Sequence, residues 1–240
     1  MVVMAAHSPA DCFDAAFNAA KIALEHMTPV LLLTEGFLGN GSEPWHIPSM
    51  KDYPAINPPF ATPGEPYKSF ERDPQTLVRK WAVPGMVGCE HRVGGLEKNH
   101  AGVLSSDPQN HEMMVAKRAQ KVQKVADYIP ELKVDGAESD KLLVVGWGGT
   151  YGHILSAVQE VRAEGLEVSF AHFDYILPLP KNTEDVFSKY DKVLVCELNS
   201  GHFANYLRGV MPQFTYAQAN KVQGQPFLVQ EIVSAIKDNL

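Results

Sequence analysis

The sequence predicts an α/β protein with a mainly parallel sheet and helices on both of its faces. Three observations support this prediction. From residue 141 onward, short apolar runs alternate with stretches of helical periodicity. Residues 142–145 are apolar at every position, which is typical of a strand buried on both faces. A glycine-rich turn at 146–152 follows that strand directly and leads into a helical pattern.

The first 45 residues predict one helix and one strand. Ser8 as the cap, Pro9 at the first helical position and Asp11 as the partner of the cap predict a helix over 8–27. An apolar run predicts a strand over 29–33. Because one helix and one strand cannot form a sheet, residues 1–45 are interpreted as the C-terminal end of a domain that began before Met1. The alternative is that they pack on the later sheet.

Residues 46–140 have a different composition and are predicted to form an ordered, extended excursion followed by a connecting helix. Prolines are concentrated here, and proline disfavours both helices and central strands. Aromatic residues such as Tyr53, Phe60 and Trp81 give the excursion material for packing. Asp107 and Pro108 predict the start of a helix that runs to about residue 128, and the polar segment 131–140 is interpreted as a domain boundary.

Residues 141–240 are predicted to form one α/β domain. The predicted strands cover 141–146, 167–173, 192–196 and, more weakly, 213–218. The predicted helices cover 152–164, 182–189, a stretch ending near 209, and 226–238.

The bulk composition excludes several classes of protein. The formal net charge is -7 and no basic stripe is present, so nucleic acid is not an expected partner. No apolar run is long enough to cross a membrane, and the N-terminus lacks the pattern of a signal peptide. Three widely spaced cysteines without a Cys-x-x-Cys pair cannot hold a four-cysteine iron–sulfur cluster and fit a reducing compartment. A cytoplasmic protein is therefore expected.

The glycine-rich turn raises the hypothesis of a nucleotide-binding site. A dinucleotide fingerprint needs Gly-x-Gly-x-x-Gly, and Gly146 and Gly148 fit it, but Tyr151 occupies the third glycine position. Asp174 does follow the second strand of the unit, which is where dinucleotide-binding proteins have the acidic residue that binds the ribose. The Walker pattern is absent. A nucleotide-binding oxidoreductase thus remains only a third hypothesis, and a tight strand-to-helix turn without a ligand is favoured.

The nine histidines do not predict a metal site or a catalytic triad. No pair of them has the spacing of a helical metal motif with a neighbouring acid, although His153, His172 and His202 lie near predicted strand ends or helix starts. A Gly-x-Ser-x-Gly elbow is also absent. We predict no metal ligands and no catalytic residues in this chain, and the sequence leaves its cofactor-binding residues unknown.

The most unusual polar cluster is the turn at 88–100, which reads Gly-Cys-Glu-His-Arg-Val-Gly-Gly-Leu-Glu-Lys-Asn-His. Loops on a rigid scaffold often carry binding groups. An arginine here could bind a carboxylate through two parallel hydrogen bonds. The competing interpretation is a solvated turn.

Together these motifs resemble one family. The motifs are Ser8-Pro9 with Cys12-Phe13, Met27-Thr28-Pro29-Val30, Gly36-Phe37-Leu38-Gly39-Asn40, Ser42-Glu43-Pro44-Trp45, the Glu90-to-Gly102 turn, Lys117-Arg118, and Asn220-Lys221-Val222-Gln223-Gly224. The chain is similar to the C-terminal part of the alpha subunit of 2-oxoacid:ferredoxin oxidoreductases, most of all the 2-oxoglutarate branch. Residues 141–240 also resemble the C-terminal domain of transketolases, with Leu177-Pro178-Leu179-Pro180 and Glu197 at the corresponding strand ends.

The resemblance implies oxidative decarboxylation of a 2-oxoacid to an acyl-coenzyme A, with electrons passing to ferredoxin. It implies thiamine diphosphate with Mg²⁺ and an iron–sulfur cluster, held mainly by a beta subunit, and no cofactor on this chain alone. The implied partners are that beta subunit, ferredoxin and coenzyme A, and a homo-oligomer is left open. By resemblance, residues 1–45 would be the C-terminal end of the family's thiamine-pyrimidine-binding domain. That domain's pyrimidine-activating glutamate and substrate loop have no counterpart here, so the chain is expected to be inactive alone.

The resemblance also implies roles for two residues of the 88–100 turn. Arg92 would bind a substrate carboxylate and His91 would support it. The alternative function, from a different class, is a transketolase-C-like module that docks subunits and touches no substrate.

Overall fold

The computed structural model describes residues 1–137 and 139–240. In chain order the strands are β1 (Val2–Ala5), β2 (Val30–Leu33), β3 (Val134–Asp135), β4 (Asp140–Trp147), β5 (Ser169–Phe173), β6 (Tyr175–Leu177), β7 (Tyr190–Glu197) and β8 (Tyr216–Asn220). The α-helices are α1 (Asp11–Glu25), α2 (Gly36–Asn40), α3 (Pro108–Lys124), α4 (Tyr151–Ala163), α5 (Thr183–Phe187), α6 (His202–Val210) and α7 (Val229–Lys237). Short 3-10 turns cover Met50–Asp52, Val125–Asp127 and Gly148–Thr150.

A five-stranded sheet in the order β3-β5-β4-β7-β8 forms the centre of the C-terminal half. All neighbouring strands are parallel except β3, which runs antiparallel to β5. The four apolar side chains at 142–145 in β4 are fully buried, as their unbroken apolar run predicts. Leu143 and Val145 pack with α5 and α6 on one face, whereas Leu142 and Val144 pack with α4 and α7 on the other. The predicted fold class, with helices on both faces of a mainly parallel sheet, is confirmed.

A second, three-stranded sheet has the order β2-β1-β6. β1 and β2 are parallel and α1 connects them, while β6 pairs antiparallel with β1. Its core includes Val2, Met4, Ile22 and Tyr175. The chain leaves β5 of the large sheet at Phe173 and enters β6 of the small sheet at Tyr175, so Asp174 is the single residue between these two strands.

Three strands were missed by the sequence prediction. β1 was not recognised, so the expectation of a single strand in the first 45 residues was wrong. Because β6 completes the small sheet, these residues do pair with a strand that follows later in the chain. β6 was not predicted, since only its last residue, Leu177, was noted as the start of Leu177-Pro178-Leu179-Pro180. β3 lies in the segment 131–140 that was interpreted as a polar boundary. Residue 138 of that segment lies outside the described residues.

The remaining predicted elements of the C-terminal half are present, with ends that differ by a few residues. The predicted cap of α3 is also confirmed, because the Asp107 carboxylate accepts hydrogen bonds from the backbone N–H groups of Gln109 at 3.2 Å and Asn110 at 3.3 Å. At the start of α1, Ser8 Oγ accepts from the Asp11 N–H at 3.2 Å. The Asp11 carboxylate binds the N–H of His7 instead of completing the predicted capping box.

The proline-rich excursion packs along α1. The Trp81 indole donates to the carbonyl of Leu24 at 2.8 Å, and the backbone N–H of Asn57 donates to the Glu25 carboxylate at 2.9 Å. Phe13 meets the Tyr53 ring at 5.8 Å between centroids. The domain boundaries at residues 45 and 140 remain predictions. Within the described residues, no helix is both long and apolar enough to cross a membrane.

Lys121 attaches α3 to the turn after α1. Its ammonium is buried and donates to the carbonyl of Met27 at 2.7 Å. Burial, helped by the positive charges of Arg72 and Arg79, lowers the pKa of Lys121 from 10.5 to about 8. Since the charged form is disfavoured in the folded chain, the unfolded chain binds more protons between these two values.

We therefore expect the free energy of unfolding to rise with pH through the Lys121 contribution. Between pH 7.5 and 9.5 this contribution should grow by about 2 kcal/mol. The free energy of unfolding is measured in urea for the native chain and for Lys121→Met at both pH values. The contribution of Lys121 is the change, between the two pH values, in the difference between the two chains. Lys181→Met, at an exposed ion pair with Asp127, is the control and should show no such change. An equal pH response in the native chain and Lys121→Met would contradict the assignment.

Candidate functional site

The carboxyl ends of the parallel strands from both sheets meet at one crevice. In open α/β sheets, ligands bind at this kind of edge. A cavity of about 460 Å³ lies there. It is lined by residues that end or follow β1, β2, β4 and β7 and by four others. The first group is Ala5, Ala6, Leu33, Thr34, Glu35, Trp147, Gly148, Gly149, Thr150, Leu198 and Asn199, and the others are Ile176, His202, Phe203 and Tyr206.

The glycine-rich turn forms one wall of this crevice and is closed by its own contacts. The Thr150 hydroxyl donates to the carbonyl of Trp147 at 2.8 Å and accepts from the Trp147 N–H at 3.2 Å. A β-carbon on Gly146 would lie 2.2 Å from the Ile154 side chain, which explains why glycine is required there.

A carboxylate lies where a phosphate would approach this turn. A β-carbon on Gly149 would lie 1.7 Å from Glu35 Oε1, so the Glu35 carboxyl group packs directly on the turn backbone. Burial raises the pKa of Glu35. Because an anion would meet this carboxyl group, the turn does not fit a diphosphate, and it supports neither the nucleotide hypothesis nor thiamine diphosphate bound at this turn.

Glu197, at the end of β7, anchors the other wall. Its fully buried carboxylate accepts hydrogen bonds from the backbone N–H groups of Phe203 at 2.8 Å and Ala204 at 2.9 Å. The indole of Trp147 donates to it at 3.3 Å. These bonds satisfy free N–H groups in the first turn of α6 and fix Trp147 of the glycine-rich turn. The resemblance pointed to Glu197, and its role in this chain is to hold the crevice together.

The structure also brings together four polar residues that the sequence did not connect. His7 follows β1, Asp11 begins α1, and His172 and Asp174 lie at the end of β5. His7 Nδ1 lies 3.0 Å from the Asp174 carboxylate and 3.1 Å from the Asp11 carboxylate. These carboxylates outweigh the effect of burial and raise the pKa of His7 to about 10, whereas burial lowers the pKa of His172 to about 4.

The signal that could have revealed this cluster was weak. Asp174 was noticed only as an acid at a strand end, and His172 as a histidine near one. His7 was overlooked because β1 was not recognised as a strand. Their proximity depends on the pairing of β1 with β6, which joins distant parts of the chain.

The predicted substrate residues lie on a different cavity. His91 and Arg92 are exposed and line a space of about 610 Å³ formed by the proline-rich excursion. His91 Nδ1 lies 2.8 Å from the carbonyl of Cys89, and its ring meets that of Tyr67 at 5.4 Å. Within residues 1–137 and 139–240, the Arg92 guanidinium makes no hydrogen bond and no ion pair, so it is free to bind an anion.

Lys98 fixes the turn that carries these residues. It is only 2% exposed, and its ammonium donates to the carbonyls of Gly94 at 3.1 Å and Leu96 at 2.9 Å. Lys98 and Arg79 also approach the ring of Phe70, at 5.6 and 4.4 Å from its centroid. The wall of this cavity is therefore rich in positive charge, which suits a carboxylate ligand. The sequence named Lys98 within the cluster but gave it no role.

The structure keeps the two candidate regions apart. Among the described residues, the crevice and the cavity beside Arg92 share no lining residue. Of the other histidines considered from the sequence, His153 packs on Phe37 at 5.3 Å, His202 lies at the crevice, and His100 is exposed. Cys196 is buried, and burial raises the pKa of its thiol to about 12, as expected for a core cysteine.

Comparison with known proteins finds that this chain is similar to parts of oxidoreductase subunits. Residues 1–107 match the family described as pyruvate flavodoxin/ferredoxin oxidoreductase, thiamine diP-binding. The 2-oxoglutarate oxidoreductase subunit KorA of Mycobacterium tuberculosis is 44% identical over 97% of this chain and 35% of its own length. The alpha subunit of 2-oxoacid:ferredoxin oxidoreductase 1 from Aeropyrum pernix is 26% identical over 99% of this chain and 38% of its own length.

A solved structure gives the same result. The 2-oxoglutarate:ferredoxin oxidoreductase from Magnetococcus marinus, with 2-oxoglutarate, coenzyme A and succinyl-CoA bound, superimposes with a TM-score of 0.90 at 27% identity. The match covers 99% of this chain and 42% of that one. In both fold and sequence, the chain is therefore similar to part of an oxidoreductase subunit.

More narrowly, the chain is a relative of the alpha subunits of 2-oxoacid:ferredoxin oxidoreductases, as its motifs indicated. It spans between about a third and two fifths of the length of these relatives.

Proposed function

We propose that this chain is part of the alpha subunit of a thiamine diphosphate-dependent 2-oxoacid:ferredoxin oxidoreductase of the 2-oxoglutarate branch. The enzyme would decarboxylate 2-oxoglutarate oxidatively, form an acyl-coenzyme A and pass the electrons to ferredoxin. The observation that carries the proposal is the 44% identity to the KorA subunit along almost the whole chain. The solved relative with 2-oxoglutarate and coenzyme A bound supports the same substrates.

The cofactors are assigned mainly to a beta subunit. The glycine-rich turn, where Glu35 lies against Gly149, does not fit a diphosphate with its Mg²⁺. Three cysteines far apart in sequence do not fit an iron–sulfur cluster, and all three are free thiols. Thiamine diphosphate would supply the carbanion chemistry in the assembled enzyme. Free cysteines also suit the cytoplasm, where we place the enzyme.

Arg92 is proposed to bind a carboxylate of the substrate, with His91 beside it. The support is physical: an exposed guanidinium without a partner in the described residues lines a cavity whose other cations are already engaged. Arg79 and Lys98 contact Phe70 or backbone carbonyls, and Lys80 pairs with Glu65. Among the described residues of that wall, Arg92 is the cation without a hydrogen-bond or ion-pair partner. No catalytic role is assigned to any residue of this chain.

The beta subunit is proposed to cover part of the excursion. Ile47, Val87, Val93 and Leu96 are each more than two thirds exposed, and the last three lie at or next to the turn that carries Arg92. Apolar surface of this kind favours contact with another protein. The same observation favours the alternative function, a subunit-docking module without substrate contact, so the two must be separated by experiment.

Co-expression with the beta subunit tests the proposal. We expect the alpha subunit that contains this chain to elute together with the beta subunit in size-exclusion chromatography. The purified complex should reduce ferredoxin only when both 2-oxoglutarate and coenzyme A are present. Pyruvate in place of 2-oxoglutarate is the control for the 2-oxoglutarate branch. Failure of the two subunits to associate, or a complex that ignores 2-oxoglutarate, would overturn the proposal.

A further inference from the structure

The cluster around His7 lies where the chain passes from the large sheet to the small sheet. Asp174 is the single residue between β5 of the large sheet and β6 of the small sheet. Its carbonyl accepts a hydrogen bond from the Ala5 N–H of β1 at 2.9 Å. His7 approaches from the end of β1, and His172 approaches from the end of β5. Any ion bound here would connect both sheets.

The geometry is that of a small metal site. One ligand atom each from His7, His172 and Asp174 can be chosen so that all three lie within 4.8 Å of one another. The rings of His7 and His172 meet at 5.6 Å between centroids and at 73° to each other. Two imidazole nitrogens with a carboxylate oxygen form a donor set that zinc and related divalent transition metals prefer.

His172 supplies an independent reason to expect a ligand. Both of its ring nitrogens are shielded from solvent, and neither has a hydrogen-bond partner among the described residues. Buried polar groups are almost always satisfied, and an exception calls for an explanation. The ion pair of His7 with Asp11 and Asp174 satisfies those three side chains but leaves His172 without a partner.

Charge balance points the same way. Asp11 and Asp174 place two carboxylates around His7, and one protonated imidazole compensates only one of them. A divalent cation compensates two carboxylates fully. Asp11 also accepts the backbone N–H of His7 at 3.0 Å, so it holds the segment that presents the His7 ring. Supporting carboxylates of this kind are common around metal-binding histidines.

We propose that His7, His172 and Asp174 bind a divalent transition-metal ion of the zinc class, with Asp11 orienting His7. The ion joins the end of β1 to the point where the chain passes from β5 to β6, and it fixes the two sheets relative to each other. The proposal does not depend on the enzyme activity, because metal binding and thermal stability report on it directly.

Titration of the full, untagged chain with ZnCl₂ and CoCl₂ after treatment with a chelator tests the proposal. We expect one equivalent of metal per chain, a rise in the thermal midpoint, and visible Co²⁺ absorption bands typical of nitrogen and oxygen ligands. His172→Gln should weaken the affinity at least ~100-fold. His153→Gln, which changes a half-buried histidine outside the cluster, should leave the affinity unchanged.

A second variant keeps the test decisive if His172→Gln does not fold. Asp174→Asn preserves size and should also weaken metal binding strongly. Zinc binding that persists in His7→Gln, His172→Gln and Asp174→Asn would place the ion elsewhere and overturn the proposal. Absence of stoichiometric binding to the native chain at micromolar zinc would overturn it as well.

Discussion

Replacing Arg92 by alanine in the assembled enzyme is expected to lower kcat/KM for 2-oxoglutarate about 100-fold or more. A guanidinium that binds a carboxylate through two charged hydrogen bonds contributes more than a neutral contact. Arg92 is exposed on its cavity and pairs with no other described residue, so its loss should not disturb the fold. Steady-state kinetics of ferredoxin reduction with 2-oxoglutarate as the varied substrate measure the effect.

Two variants act as controls for this experiment. Lys80 lines the same cavity and pairs with Glu65 at 3.8 Å across exposed surface, so Lys80→Ala removes a positive charge with little expected effect. Arg92→Lys keeps the charge but cannot form the two parallel hydrogen bonds, and it should recover only part of the activity. His91→Ala should have a smaller effect than Arg92→Ala, because His91 Nδ1 is already engaged with the carbonyl of Cys89.

The outcome separates the two functional hypotheses. If Arg92→Ala keeps both kcat and KM, the assignment of Arg92 as a substrate ligand is wrong. A second result would then assign the turn to docking. If Arg92→Ala keeps kcat and KM while Val93→Asp, which changes the exposed neighbouring residue, prevents association with the beta subunit, the turn serves subunit docking. A KM that rises in Arg92→Ala, with association unchanged, supports substrate binding.

The sequence predicted the large sheet well because local patterns specify it. The apolar run of β4 and the apolar stripes of α4 and α7 each predict burial from the local sequence alone. The small sheet was missed for the opposite reason. β1 has four residues and β6 has three, so neither offers a period that can be recognised. Their pairing becomes evident only in three dimensions.

In the candidate sites, too, locally specified features were predicted and contacts between distant residues were missed. Glycines at 88, 94 and 95 predicted a turn around Arg92, but they could not predict that Lys98 would be buried beneath it. Asp174 was correctly seen at a strand end, yet its closest charged partner, His7, is more than 160 residues away in sequence. The glycine-rich turn was correctly read as a turn. The reason it does not suit a phosphate, the carboxyl group of Glu35, lies on another strand end.

Replacing Glu197 by alanine is expected to lower the free energy of unfolding by about 3–5 kcal/mol. The substitution leaves two buried N–H groups at the start of α6 and the indole of Trp147 without their acceptor. It also opens a cavity beneath the fully buried end of β7. Urea unfolding followed by circular dichroism at pH 7 measures the loss.

Glu164→Ala is the matched control, because Glu164 forms an exposed ion pair with Lys237 at 2.6 Å. Exposed pairs of this kind contribute at most about 1 kcal/mol, so this variant should unfold close to the native midpoint. Glu197→Gln should fall between the two, since one amide oxygen can still accept while the NH₂ group faces N–H donors. Equal midpoints for Glu197→Ala and Glu164→Ala would show that α6 and Trp147 are held by packing alone, without the carboxylate of Glu197.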